Sequence, residues 1–122
     1  MSSVSIDESL LRETIMDTFG GDPEQFSSFV NIFSKYVTEL KDFSSRTDFH
    51  SEVENIAKSA HKMKAGAGAF GATSLLEALE NLEANILKNN ANNAQELYNT
   101  AVQVAEESLK EINSRGENIL KG

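Results

Sequence analysis

The chain of 122 residues contains no cysteine and no tryptophan. The first absence excludes disulfides and thiolate metal sites and fits a reducing compartment, so the expected location is the cytoplasm. No apolar run approaches the roughly 18 residues that a membrane span needs, and Met1-Ser2-Ser3-Val4-Ser5 lacks the basic-then-apolar order of a signal peptide. Basic residues are in the minority: 11 Lys and Arg against 19 Asp and Glu leave a formal net charge of -8. That balance argues against nucleic acid or a membrane surface as partner, because both need a basic face to displace counterions. Only one proline is present, and aromatic residues other than phenylalanine are few. With abundant Ala, Leu, Glu, Asn and Ser, and no segment that alternates apolar and polar residues, the fold class expected is all-α.

What is there organises into five helical segments within a single domain spanning residues 1–122. Ser5-x-x-Glu8 reads as a capping box opening a short helix over about 6–19, with Ile6, Leu10, Leu11 and Ile15 apolar, ended by Gly20-Gly21. Asp22-Pro23-Glu24-Gln25 gives an N-cap, a proline at the first helical position and a Gln three residues past the cap, so a second helix is predicted over about 23–46. Its stripe is Phe26, Phe29, Val30, Phe33, Val37, Leu40 and Phe43. A third helix over about 49–70 carries Val53, Ile56, Ala60, Met63, Ala67 and Phe70. The fourth, over about 73–88, carries Leu75, Leu76, Leu79, Leu82 and Ile86, and the asparagine-rich run from Asn89 to Asn93 reads as a turn. The fifth, over about 94–115, uses Leu97, Ala101, Val104, Ala105, Leu109 and Ile112, with Gly116 as its stop. Four amphipathic helices with short links predict an antiparallel four-helix bundle, with the short first helix capping one end.

Within this acidic chain, Asn55 to Leu76 contains no Asp or Glu at all. His61 stands in that stretch. At about 100° per residue it lies roughly 130° from the centre of its helix's apolar stripe, so it should point outward. One or two helical turns away are Ala57, Lys58, Lys64, Ala65 and Gly68. Small residues would leave the imidazole uncovered and lysines would place positive charge beside it. Those are the needs of a phosphoryl group on a ring nitrogen, which brings a charge of about -1.5 to -2. The same features also describe an ordinary solvated histidine. Gly66 and Gly68, each costing about 0.8–1.0 kcal/mol in a helix relative to Ala, fit either a surface kept bare or a helix fraying toward Gly71.

The stretch resembles the histidine-containing phosphotransfer (HPt) family. The family pattern has a His, then Lys three residues on, Gly four on, Gly ten on, Leu fourteen on, and Leu-Glu at twenty-one and twenty-two. Here those places hold His61, Lys64, Ala65, Gly71, Leu75, Leu82 and Glu83, and only Ala65 departs, adding one methyl. The motif covers about a fifth of the chain, and the helix count extends the likeness over most of it. The resemblance implies an HPt-like bundle that carries a phosphoryl group between receiver-domain aspartates of response regulators or hybrid sensor kinases. It implies His61 as the phosphorylated residue and Lys64, with Lys58, as phosphoryl-stabilising cations. Ala57, Ala65 and Gly68 would leave room for the partner.

Such a chain is a relay intermediate and not an enzyme in its own right. It needs no cofactor, the magnesium ion belonging to the partner receiver, and it is expected as a monomer. No nucleotide-binding motif of the G-x-x-x-x-G-K-[ST] type is present. Leu11, Ile15 and Phe70 are candidates by position for an apolar docking patch, or else ordinary core. Met1 and the polar ends favour a free-standing chain over a module of a larger kinase. A non-phosphorylated helical adaptor is the alternative function. No metal site is expected, because His50 and His61 would sit about 16 Å apart on one helix. A hydrolase is not expected either, because no acid lies near His61 in sequence.

Overall fold

The computed structural model describes residues 4–43, 49–88 and 91–121, with the side chains of 49, 50, 91 and 92 outside that description. The Arg46 end of the second helix, Asn89 and Asn90 of the expected turn and the His50 side chain lie outside the described residues, whereas 91–93, expected in that turn, are already helical. Among the described residues every regular element is helical. Helix α1 is Glu8–Glu13 and continues into a π-helical turn, Thr14–Thr18; α2 is Pro23–Asp42, α3 Phe49–Ala69, α4 Thr73–Leu87 and α5 Ala91–Lys121.

The start of α2 follows its sequence signal: Asp22 accepts a hydrogen bond from Glu24 N–H at 3.0 Å, with Pro23 in the first turn. At α1 the cap differs from expectation. Asp7, not Ser5, accepts from Leu10 N–H at 3.3 Å. Ser5 is used elsewhere, its N–H donating to Ser74 Oγ at 2.8 Å and its carbonyl accepting from Thr73 Oγ1 at 3.2 Å. The extended segment before α1 is thereby laced onto the start of α4.

The long helices pack in a ring, α2 against α3 and α5, and α4 likewise against α3 and α5, while α1 lies on α5. Their stripes meet in one core that includes Leu11, Ile15, Phe33, Leu40, Ile56, Met63, Phe70, Leu79, Leu82 and Ile112. Each fully buried side chain of this size contributes about 1.5–3 kcal/mol. Tyr98, outside the predicted stripe of α5, is buried as well, its hydroxyl donating to the Leu40 and Lys41 carbonyls at the end of α2.

Helix α5 is longer than the sequence suggests and runs straight through Gly116. Gly116 is not a stop. A Cβ there would sit 2.1 Å from Phe26 Cζ, so the glycine is what lets α5 approach the first turn of α2. Gly71, by contrast, ends α3 as expected, with φ 71°. Ala72 N–H reaches the Ala67 carbonyl at 2.8 Å and Gly71 N–H the Gly68 carbonyl at 3.2 Å, the paired bonds of a Schellman cap. The Gly71 carbonyl then accepts from Asp7 N–H at 2.7 Å, anchoring the N-terminal segment.

Candidate functional site

His61 projects from α3 with 70 % of its side chain exposed, on the side away from buried Ala60, Met63 and Ala67. It opens into a shallow depression with Ala57, Lys58, Lys62 and Glu83. Among the described residues no hydroxyl or thiol side chain lines this depression; its nitrogen groups are the imidazole and the amines of Lys58 and Lys62.

Glu83 comes from α4, the helix packed against α3. It follows buried Leu82 and so sits about 100° round the helix from it, which brings its carboxylate to the α3 side. Oε2 lies 3.0 Å from His61 Nδ1 and Oε1 lies 2.7 Å from Lys64 Nζ. The Lys64 ammonium, and after it the imidazole of His61, hold the Glu83 carboxyl below its ordinary range, outweighing the opposite pull of burial. An ionised carboxylate only accepts, so His61 Nδ1–H is the donor to it, and in the neutral ring that tautomer leaves the lone pair on Nε2. The structure thus supplies the acid that sequence proximity lacked. The only signal for it was the spacing of Leu82-Glu83 in the motif, which gave no hint of its partners.

A carboxyl whose folded pKa is depressed contributes stability that is present above its ordinary range, near pH 4.3, and lost as pH falls through the lower folded value. Urea unfolding followed between about pH 5 and pH 3 should therefore show a loss of stability that is smaller in Glu83→Ala. Parallel curves for the two proteins would show that the carboxylate makes no such contribution.

The remaining motif residues divide. Ala57 and Lys58 flank His61 as expected, and Lys58 has no ion pair among the described residues. Lys64 is beside His61 but already engaged by Glu83. Ala65 lines a separate apolar groove of about 310 Å³ between α2, α3 and the π-helical turn, where its extra methyl forms wall and does not cover the imidazole. Phe29 and Ile32 stand 49 % and 46 % exposed on that groove. Lys62, which the sequence did not single out, borders both groove and depression; its Nζ lies 3.6 Å from Glu39 Oε1 and 5.5 Å from the Tyr36 ring centroid. The docking candidates Leu11, Ile15 and Phe70 are fully buried core, and the exposed large apolar side chains that line the groove are instead Phe29 and Ile32.

The glycines divide too. Gly66 is required because a Cβ would come 2.8 Å from the Phe33 ring, whereas at Gly68 a Cβ meets nothing within 4 Å. The open space at Gly68 means that no neighbour within this chain requires glycine there. Gly68→Ala should raise stability by up to about 1 kcal/mol, measured by urea unfolding; a destabilised variant would contradict the open space. Among the described residues no group of three or more His, Cys, Asp or Glu side chains could hold a metal ion, and no helix is long and apolar enough to cross a membrane. Comparison with known protein families, curated proteins and solved structures finds no match for this chain.

Proposed function

We propose that this chain is a histidine phosphotransfer protein of a multistep His-Asp relay, with His61 as the residue that carries the phosphoryl group. The carrying observation is an imidazole 70 % exposed whose Nδ1 faces the Glu83 carboxylate at 3.0 Å, which leaves Nε2 as the ring nitrogen not engaged by that carboxylate. The proposed architecture is an antiparallel four-helix bundle of α2 to α5 with α1 as an added N-terminal helix. It is supported by the pairing of opposite ends of α2 and α5, Leu40 with Tyr98 and Phe26 with Gly116.

In the proposed reaction, the Nε2 lone pair attacks the phosphorus of a receiver's aspartyl phosphate. The N–P bond forms as the P–O bond breaks, and the aspartate carboxylate leaves with the bonding pair. The ring proton stays on Nδ1. Positive charge developing on the imidazole is balanced by Glu83, and charge on the phosphoryl oxygens by the lysines beside it. Transfer onward is the same step in reverse with a second receiver. The magnesium ion and the acidic pocket are the receiver's, and the chain acts as a cytoplasmic monomer. The groove bearing Phe29 and Ile32, next to the depression, is the apolar surface on which a receiver would rest.

The test is incubation with receiver domains pre-loaded with labelled phosphoryl groups. Acid-labile label appearing on this chain is the expected result. Tight binding to a receiver with no label transferred would replace the relay carrier by a non-phosphorylated adaptor.

A further inference from the structure

Lys64 and His61 compete for one carboxylate. Glu83 gives Oε1 to the ammonium at 2.7 Å and Oε2 to the ring at 3.0 Å. Lys64 and Glu83 are well covered, 25 % and 20 % exposed, so solvent screens their attraction less than it would a surface pair. Lys64 sits three residues after His61, with Cβ atoms about 5–6 Å apart on one face of α3. Its stem can therefore deliver the ammonium either to Glu83 or to a group on the ring. The other cations are placed differently: Lys62 leans on Tyr36 and Glu39, and Lys58 stands on the far side of His61 one turn earlier.

A phosphoryl group on Nε2 would bring about -1.5 to -2 of charge and three acceptor oxygens within reach of an ammonium now held by a single negative charge. The larger charge wins it. On the assignment of His61 as phosphoryl acceptor, on which this inference rests, we propose that Lys64 is a shared cation, held by Glu83 while His61 is bare and passed to the phosphoryl group when Nε2 carries one. Glu83 keeps its bond to Nδ1–H in both states. Because Glu83 draws Lys64 back as the phosphoryl group departs, the lysine stabilises the loaded state without trapping it, which suits a carrier that must accept and release the same group.

The experiment uses the full chain phosphorylated chemically with potassium phosphoramidate, so no partner is required. The ring N–P bond forms as the donor's N–P bond breaks and ammonia leaves with the bonding pair. Phosphorus NMR then follows the second ionisation of the phosphoryl group against pH. A nearby cation favours the dianion, so Lys64→Ala should raise the midpoint by about one unit. The rise should be nearly the same whether or not Glu83→Gln is also present, because in the loaded state Lys64 no longer belongs to Glu83. A midpoint unmoved by Lys64→Ala while Glu83 is in place, but moved once Glu83→Gln is added, would overturn the exchange. Lys64→Gln repeats the reading if the alanine variant does not fold. Absence of a phosphohistidine signal in the unmutated chain, or its survival in His61→Gln, would instead overturn the acceptor assignment itself, and the exchange with it.

Discussion

His61→Gln abolishes acquisition of an acid-labile phosphoryl group while unfolding stays within about 0.5 kcal/mol of the unmutated chain, as for a surface substitution. Glutamine keeps polarity and much of the reach of histidine, but its amide has no basic lone pair to attack phosphorus. The side chain replaced is 70 % exposed and outside the core, so little packing is lost. Among the described residues the polar contact forfeited is with Glu83, which retains Lys64 at 2.7 Å. Labelling and urea unfolding on the same preparation separate a chemical role from a structural one. Label that persists, or a fold that collapses, would each contradict the placement of His61 as an exposed nucleophile.

Gly71→Ala lowers stability by about 2–4 kcal/mol, a large share of the 5–15 kcal/mol typical of a domain. Two costs combine. With φ at 71°, an L residue pays about 1–2 kcal/mol for the left-handed backbone. The new Cβ would also lie 2.4 Å from the Asp7 carbonyl oxygen, which belongs to backbone and cannot rotate away. Relief requires moving the N-terminal segment and sacrificing the 2.7 Å bond from Asp7 N–H to the Gly71 carbonyl, about 0.5–1.5 kcal/mol more. The contrast with Gly68→Ala makes this sharp: the same substitution three residues earlier has the opposite sign, because there the backbone is helical and the space is empty. Denaturant midpoints that shift equally for the two variants would contradict the cap geometry.

Legibility followed the range of the interactions. Caps and stripes are local, so Asp22-Pro23 and Gly71 marked helix ends correctly, and the three- and four-residue steps of α3 placed His61 outward. Gly116 was misread because its cost to the helix is local while its use is not: the Phe26 ring that occupies its missing side chain lies some ninety positions away in sequence. Phe29 fitted the stripe of α2 but stands half exposed on the groove, since a stripe of seven apolar residues is wider than the contact it serves. Ser5 had the spacing of a cap, yet Asp7 was closer to the helix start and Ser74 offered Ser5 another partner. The site shows the same limit. His61 and Lys64 were visible as neighbours on one helix, whereas the carboxylate that holds both arrives from α4, and only the packing of α3 on α4 brings it there.

Localisation of the phosphoryl group after transfer from a phosphorylated receiver, by mass spectrometry of peptides prepared at neutral to alkaline pH, tests the central claim most directly. The account predicts a single modified site, His61, with phosphorus attached at Nε2 when the intact labelled chain is read by NMR. Label on any other residue, or on His61 through Nδ1, the nitrogen that faces Glu83, would contradict it.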